Sequence, residues 1–394
     1  MITEIKKIIE ENKEQLITIR RYLHQNPELS FEEYKTASYI SQVLSNYNIE
    51  HQTGVVKTGI IGTIKGKNPH SKVIALRADI DALPIVENTN LDFASQNKGV
   101  MHACGHDVHT TALIGALIVL NTLKNKFEGT IKFIFQPGEE QLPGGAKLMI
   151  EDKVLENPTV DKIIGQHVFP DLEVGKVGFR PNTYMASADE IHFTVQGKGG
   201  HAALPHTLTD PILITAHIIV ALQQIVSRNA SPYIPTVLSF GDIIGKGATN
   251  VIPNAVAVKG TFRTFDEKWR TEAHAKMKKM AESIAEGMGA TCNFEVRKGY
   301  PVLVNDQATT ELAKQAAINY LGKENVIDLE MRMTAEDFAY YSQQIPSCFY
   351  RLGTSNPTKG YGGGLHNAKF TIDEDAISIG AGLMSYIALQ QLRE

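Results

Sequence analysis

The chain has 394 residues, a length that predicts two domains because one hydrophobic core rarely serves more than about 250–300 residues. Hydrophobic residues make up 43% and charged residues 21%, as in soluble globular proteins, which excludes disordered and fibrous classes. The 39 Lys and Arg residues against 43 Asp and Glu residues give a net charge of -4, so we expect no nucleic-acid partner and no anionic membrane.

The N-terminal segment MITEIKKIIEENKEQL mixes acidic and basic residues, whereas a signal peptide needs a basic start and an unbroken apolar run. The three cysteines, Cys104, Cys292 and Cys348, are widely spaced and favour neither a disulfide framework nor a zinc finger. Both features predict a cytoplasmic protein. The most apolar run, residues 111–120, is shorter than the roughly 20 residues that span a bilayer. We therefore interpret it as a buried helix.

The first half of the chain alternates between helical and strand-like patterns. Apolar residues recur at helical spacing from Ile2 to about Ser45, and Asn26-Pro27 interrupts them, which predicts two helices. Strands and helices then succeed one another, which favours an α/β fold with a mixed, mostly parallel sheet flanked by helices. The predicted strands are TGIIGTIKG (58–66), KVIALRADI (72–80), IKFIFQ (131–136) and KIIGQHVFP (162–170).

The order of elements changes after Pro181. Strand, helix, strand, strand, helix and strand follow up to Gly299, which is the βαββαβ order of a ferredoxin-like unit. From Tyr300 the α/β character returns, and the chain closes with a helix from about Asp375. We therefore predict a discontinuous first domain of residues 1–181 and 300–394, with an inserted ferredoxin-like domain of residues 182–299.

The stretch MHACGHDVH concentrates potential metal ligands within residues 101–109. In an extended segment, His102, Cys104 and His106 project to the same side, so two or three of them could share one metal ion. A thiolate is a strong ligand for zinc-like ions. One alternative is a histidine-rich turn that only hydrogen-bonds the backbone. Another is a nucleophilic Cys104 with a histidine base, which leaves the polar residues described next unexplained.

Polar side chains stand at the predicted ends of several strands, where sites of open α/β sheets lie. Asp79, the pair Glu139-Glu140 and His167 occupy such positions. Two adjacent carboxylates can divide the work of metal-dependent hydrolysis, one as a ligand and the other as a proton shuttle, although a solvated loop is the alternative. His366, in the glycine-rich loop YGGGLHN, is a further candidate ligand.

A set of motifs occurs in order along the chain: LRADIDALP (76–84), MHACGHD (101–107), GEE (138–140), the strand end at His167, KGGHAALPH (198–206), ATNVIP (248–253), GTFRT (260–264) and GGLHN (363–367). As a set, these motifs resemble one family, the di-metal aminoacylase and glutamate-carboxypeptidase-like peptidases. Within it, the resemblance is to the amidohydrolase branch of hippurate hydrolases, indole-acetyl-amino-acid hydrolases, N-acyl-amino-acid hydrolases and N-acetyldiaminopimelate deacetylases. It runs from about Arg20 to the C-terminus.

The resemblance implies a catalytic domain that carries two divalent ions and a lid domain that also forms a homodimer. It assigns Glu139 as the general base, and His201 as a lid histidine that stabilises the oxyanion in the partner's site. It also implies that Asn250 and Arg263 hold the substrate carboxylate, a task suited to a guanidinium group. The implied metal ligands are Cys104, His106, Glu140, His167 and His366.

Two positions depart from the wider family pattern, and the amidohydrolase branch shares both departures. Arg77-Ala78-Asp79 stands where an H-x-D motif supplies a histidine ligand, and Cys104 stands where an aspartate bridges the metals. Because a thiolate favours softer ions, we expect zinc, with manganese, cobalt or nickel as alternatives.

The hypothesis from the sequence is a metal-dependent amidohydrolase that cleaves N-acyl amino acids or short peptides with water and Glu139 as base. A dipeptidase or aminopeptidase of the same family is the first alternative. A non-catalytic metal-dependent binding protein would have no use for Glu139. Phosphoester hydrolysis would require more cationic groups than Arg263 and His201 provide.

Overall fold

The computed structural model describes residues 1–394, and the chain divides into two compact units. Unit 1 comprises Met1–Tyr184, Val304–Glu330 and Asp337–Glu394, and unit 2 comprises Met185–Leu303 and Met331–Glu336. The predicted domains break after residue 181 and before residue 300, so the structure shifts both boundaries towards the C-terminus. It also assigns to unit 2 the segment Met331–Glu336, which lies within the predicted first domain.

Nine α-helices form, and several begin where the sequence provides a cap. Asp210, Asp266 and Asp306 each directly precede a helix, and each side chain accepts a hydrogen bond from a backbone N–H of that helix's first turn. The predicted break at Asn26-Pro27 is confirmed. The helices are α1 (Ile2–Gln25), α2 (Tyr34–Asn46), α3 (His106–Thr122), α4 (Gly145–Glu151), α5 (Pro211–Gln224), α6 (Glu267–Gly287), α7 (Gln307–Leu321), α8 (Ala339–Ser342) and α9 (Asp375–Arg393).

Sixteen strands complete the regular structure. They are β1 (His51–Val55), β2 (Gly59–Lys65), β3 (Val73–Asp79), β4 (Thr130–Gln136), β5 (Lys162–Glu173), β6 (Val177–Phe179), β7 (Asn182–Met185), β8 (Asp189–Gln196), β9 (Gly200–His201), β10 (Thr236–Ile244), β11 (Val251–Ile252), β12 (Ala255–Thr264), β13 (Thr291–Lys298), β14 (Leu303–Asn305), β15 (Val326–Asp328) and β16 (Ser347–Ser355).

Unit 1 is built on an eight-stranded mixed sheet with the order β1-β2-β4-β3-β5-β16-β6-β15. The central strands β4, β3, β5 and β16 are parallel, while β1, β2 and the β16–β6 pair add antiparallel pairing. Both β3 and β4 are buried along their whole length, as strands covered on two faces must be. The predicted α/β class, with a mostly parallel sheet flanked by helices, is confirmed.

Helix α3 lies at the centre of the core of unit 1 and fixes where the site begins. It is buried from His106 to Leu120 and packs against α1, α9 and β3. An apolar helix without a polar face is stable only in such surroundings. Its first residue, His106, is therefore held rigidly beside the sheet.

Unit 2 is a four-stranded antiparallel sheet with the order β10-β12-β8-β13. Helices α5 and α6 pack on it around a core that includes Phe193, Phe262 and Trp269. In chain order, the strands lie as second, third, first and fourth, which is the ferredoxin-like arrangement expected from the βαββαβ pattern.

The prediction that His167 ends a strand is wrong. Strand β5 continues beyond it to Glu173, because β16 remains paired with β5 there, Gly353 opposite Phe169 and Ser355 opposite Glu173. His167 consequently points from within a strand rather than from a loop.

Candidate metal centre

Six of the predicted site residues lie together in unit 1. Cys104, His106, Glu139, Glu140 and His167 are buried or nearly so, while the side chain of His366 is 53% exposed. Within three groups, the potential ligand atoms all lie within 4.8 Å of one another: Cys104, His106 and His167; Cys104, Glu140 and His366; and His106, Glu139 and Glu140.

The turn at Gly105 separates the first two of these side chains. Gly105 has a φ of +80°, and a Cβ at this position would lie 2.5 Å from a methyl group of Val168. Only glycine fits here without strain. The turn also corrects the predicted alternation, because α3 begins at His106 and the segment is not extended. His102 is buried but belongs to none of the three groups.

A backbone hydrogen bond joins the glycine-rich loop to the Cys104 segment. The N–H of His366 donates to the carbonyl of Ala103 at 2.9 Å, so two segments far apart in sequence become neighbours. His366 adopts a φ of +59°, a left-handed conformation that is uncommon for residues other than glycine. Its Nε2 then lies 3.2 Å from Oε1 of Glu140.

Hydrogen bonds fix the tautomers of two histidines beside this centre. Nδ1 of His167 lies 2.8 Å from the carbonyl of Val168 and donates to it, which leaves the Nε2 lone pair facing Sγ of Cys104 at 3.4 Å. Nε2 of His109 accepts from the N–H of Val168, so its Nδ1 donates to Asp79 at 2.6 Å. Burial and the neighbouring Arg351 hold the pKa of His167 well below its usual value, so the ring is a neutral potential ligand.

His106 is oriented by a carboxylate that the sequence analysis did not select. Its Nδ1 lies 3.1 Å from Oδ1 of Asp81, an arrangement that directs Nε2 towards Glu140 at 3.9 Å. A carboxylate behind a histidine is the usual support of a metal ligand. The motif LRADIDALP contains Asp81, and its alternation with Asp79 was the available signal.

The electrostatics of the centre fit a divalent cation. Nε2 of His106 is buried without a hydrogen-bond partner. Burial raises the pKa of the Cys104 thiol far above its usual value, and Glu140 and Glu139 raise it further. Burial lowers the pKa of His106, but Asp79, Asp81 and Glu140 outweigh it and bring the value to about 10. A bound cation would balance this negative charge and permit the thiolate to form.

Glu139 lies beside this group, nearly buried, on the loop that follows β4. One of its carboxylate oxygens accepts a hydrogen bond from the backbone N–H of Asp337 at 3.3 Å. The carboxylate also lies within the ligand-atom group formed with His106 and Glu140. It is therefore placed where a base could act on water bound at the centre.

Arg77 stands where the wider family pattern has a histidine ligand, and its contacts give it a different role. Its guanidinium is fully buried and donates to Asp79 at 2.5 Å, to Asp337 at 2.7 Å and to Gln136 at 2.9 Å. Because a guanidinium has no lone pair to offer a cation, Arg77 supports the loops around the centre instead.

In unit 2, His201 and Asn250 lie on adjacent segments. Strand β9 pairs with β11, His201 opposite Val251, and the N–H of Ala202 donates to the carbonyl of Asn250 at 3.0 Å. Nδ1 of His201 accepts from the N–H of Ala203 at 3.2 Å, so in the neutral ring Nε2 carries the proton. His201 is thus prepared as a hydrogen-bond donor on an exposed surface.

Arg263 is a half-buried cation of strand β12. Its Nη1 is buried without a hydrogen-bond partner, and burial lowers its pKa despite the opposing effect of Asp189. A buried guanidinium N–H without an acceptor is costly and is the feature expected of a group that binds an anionic ligand.

Known proteins with similar sequences and structures were compared with the chain. A model of peptidase family M20/M25/M40 matches residues 75–390. The N-acetyl-L-cysteine deacetylase of Bacillus subtilis (strain 168) is 43% identical over 365 residues, which cover 93% of this chain and 85% of that protein. The N-acyl-L-amino acid amidohydrolase of Geobacillus stearothermophilus is 41% identical over 77% of this chain and 81% of its own. The crystal structure of a Bacillus subtilis protein described as a dinuclear metal binding peptidase from the M20 family superimposes with a TM-score of 0.84, at 37% identity, over 98% of this chain and 99% of that chain.

Proposed function

The chain belongs to peptidase family M20/M25/M40, whose matched relatives are hydrolases, and on that premise we propose that it hydrolyses the amide bond of N-acyl amino acids. The observation that carries this proposal is the convergence of five potential ligands and a nearby carboxylate in unit 1. The deacetylase and amidohydrolase relatives support the substrate class. Short peptides are the alternative substrate.

Cys104, His106, Glu140, His167 and His366 would hold two divalent cations. When bound, the cations act as Lewis acids that polarise the scissile carbonyl and make water more acidic. We propose zinc, since a thiolate and three imidazoles form a soft donor set, with manganese, cobalt and nickel as alternatives. Of these donors, His167 already presents an unprotonated Nε2 towards Cys104.

Glu139 performs the proton transfers in this proposal. Its carboxylate takes a proton from the attacking water and later donates it to the departing amine. The backbone N–H of Asp337 donates to one oxygen of this carboxylate, which limits its rotation. His201, whose Nε2 carries a proton, donates a hydrogen bond to the oxyanion.

Arg263 and Asn250 bind the substrate carboxylate in this proposal. Replacing Arg263 by alanine is expected to raise KM for an N-acyl amino acid by about 10- to 100-fold, because a hydrogen bond to a charged group contributes about 1.5–3 kcal/mol. Steady-state kinetics measure the change. The matched control is the corresponding amino-acid amide, which lacks the carboxylate and should bind both forms of the enzyme equally. An equal loss for acid and amide would remove Arg263 from this role.

The substrate class is tested with a panel of N-acetyl, N-benzoyl and indole-acetyl amino acids and dipeptides, each assayed with zinc, manganese, cobalt and nickel. We expect turnover of at least one N-acyl amino acid to exceed that of every dipeptide. Turnover confined to dipeptides would instead favour the peptidase alternative. Stabilisation by ligands without any turnover would favour a binding protein.

We also propose a homodimer formed through unit 2. Helix α5 and the π-helical turn after it, Pro211–Asn229, are apolar and long enough to cross a membrane by composition, yet only a third of this stretch is buried. Val220 is 73% exposed, and the edge strand β10 exposes Ile243. Exposed apolar surface beside an edge strand is typical of an interface, and an aqueous homodimer accounts for it without a membrane.

Replacing Val220 by glutamate is expected to convert the dimer to a monomer, as measured by light scattering after size-exclusion chromatography, because a charge would be buried in the interface. Turnover should fall with it, since His201 is proposed to act in the partner's site. Val86, 67% exposed in unit 1, provides the matched control, and its glutamate variant should remain dimeric. A monomeric wild-type protein would contradict the proposal.

For location we propose the cytoplasm. All three cysteines are free thiols, as a reducing compartment allows. The small net charge of -4 supports the absence of a nucleic-acid partner.

A further inference from the structure

Glu33 is a buried residue whose carboxyl group binds the backbone N–H of Gly138, the residue before Glu139. Its Oε1 accepts hydrogen bonds from the N–H of Phe31 at 2.8 Å and of Gly138 at 2.9 Å. Its Oε2 accepts from the hydroxyl of Thr58 at 2.5 Å. Three donors from three segments of unit 1 therefore converge on one side chain.

The geometry around Gly138 leaves its loop little freedom. Gly138 has a φ of +62°, and a Cβ there would lie 2.3 Å from the ring of Phe31. Its carbonyl accepts from the N–H of Gly145 at 2.9 Å. Because Glu33 accepts from the N–H of Gly138, both backbone polar groups of this glycine are hydrogen-bonded, and the ring of Phe31 packs against it.

A second buried carboxylate holds the other side of Glu139. Oδ2 of Asp81 accepts from the backbone N–H of Glu140 at 2.9 Å and from the hydroxyl of Ser30 at 2.6 Å. The backbone N–H groups of Gly138 and Glu140, the residues on either side of Glu139, thus both donate to carboxyl groups, and the segment of residues 30–33 contributes to both interactions.

Holding a carboxyl at this place is costly. Burial raises the pKa of Glu33 to about 7, and the charge of Asp81 adds to the effect. A buried carboxyl whose pKa is perturbed in this way is a candidate for a functional role. Glu33 directly precedes α2, and its side chain is long enough to place a hydrogen-bond acceptor at the N–H of Gly138.

We propose that Glu33 is a positioning residue for Glu139, fixing the Gly138 peptide so that the Glu139 carboxylate is directed at the attacking water. The proposal rests on the function proposed above, in which Glu139 is the base. A displacement of about 1 Å in such a group can lower turnover by about 100-fold.

The first test compares three replacements of Glu33. Glu33→Ala removes the acceptor and is expected to lower kcat by about 10- to 100-fold, with KM and metal content within twofold of wild type. Glu33→Gln keeps an oxygen of the same reach and should recover kcat to within about threefold. Glu33→Asp keeps the charge but shortens the reach, so its kcat should fall below that of the glutamine variant. Exposed Glu32→Ala is the control and should behave as wild type.

The ranking of the glutamine and aspartate variants decides between geometry and charge, even if the alanine variant does not fold. Aspartate equal to or better than glutamine would overturn the proposal. So would unchanged kcat in Glu33→Asp. A readout independent of activity is amide hydrogen exchange of the segment 137–141, which should be faster in Glu33→Asp than in Glu33→Gln.

The second test places Glu33→Ala, or Glu33→Asp if alanine does not fold, in a Glu139→Gln background. Because Glu33 is proposed to act through Glu139, replacing Glu33 should cause no further loss of the residual turnover of the Glu139→Gln variant. A loss equal to that in the wild-type background would overturn this proposal alone. Full activity of Glu139→Gln by itself would overturn the base assignment and this proposal with it.

Discussion

Replacing Glu139 by glutamine is expected to lower kcat by about 10²–10⁴-fold, the range over which a positioned general base accelerates proton transfer. Glutamine has nearly the same shape and can still accept the hydrogen bond that Asp337 donates at 3.3 Å, so the fold should be retained. The amide cannot take a proton from water at neutral pH. Steady-state kinetics and elemental analysis of the same preparation measure turnover and metal content together.

Metal content is the control within that experiment, because Glu139 is not among the proposed ligands. We expect two ions per chain in both wild type and variant. Glu151, exposed in α4, offers a matched glutamate-to-glutamine replacement that should leave turnover unchanged. Retained activity in the Glu139 variant would remove this residue as the base, and loss of metal would make it a ligand instead.

Replacing Cys104 by serine is expected to release metal and reduce turnover to background. A serine hydroxyl does not ionise at neutral pH and is a harder donor than a thiolate, so it cannot replace the sulfur that faces His167 at 3.4 Å. The His366→Ala variant should likewise lose metal, since it removes the imidazole that lies 3.2 Å from Glu140. Inductively coupled plasma mass spectrometry measures the metal content.

Cys292 provides the matched cysteine-to-serine control. It lies in unit 2, outside every ligand group of the structure, and its replacement should change neither metal content nor turnover. Full metal occupancy in both Cys104→Ser and His366→Ala would contradict the ligand set.

The larger elements of the fold could be predicted from the sequence because their patterns are strong. The βαββαβ order of unit 2 and the buried strand that ends at Asp79 follow from periodicity alone. Short strands such as β1, with the sequence HQTGV, were not predicted, because their residues are polar and their pairing depends on neighbours distant in sequence. The inclusion of Met331–Glu336 in unit 2 has the same cause.

The candidate site could likewise be predicted where its residues are close together in the sequence, but not where they are far apart. The histidines and the cysteine of MHACGHD could be recognised as candidate ligands because they cluster in the sequence. The alternation expected of an extended segment wrongly grouped His102 with them, because Gly105 turns the chain at a φ of +80°. The glycine-rich loop made His366 a candidate ligand, but only the family resemblance assigned it to the same centre, since its contact with Ala103 is a tertiary one. Glu33 and Asp81 were missed because single acidic residues near a turn are too common to indicate a role.

The central claim is that side chains distant in sequence bind a pair of cations in unit 1. Anomalous X-ray diffraction from crystals grown with zinc, recorded above and below the zinc absorption edge, tests it most directly. The account predicts two anomalous peaks per chain, both contacted by Cys104 and together enclosed by His106, Glu140, His167 and His366. A single peak, no peak, or peaks that leave Cys104 and His366 without a metal contact would contradict it.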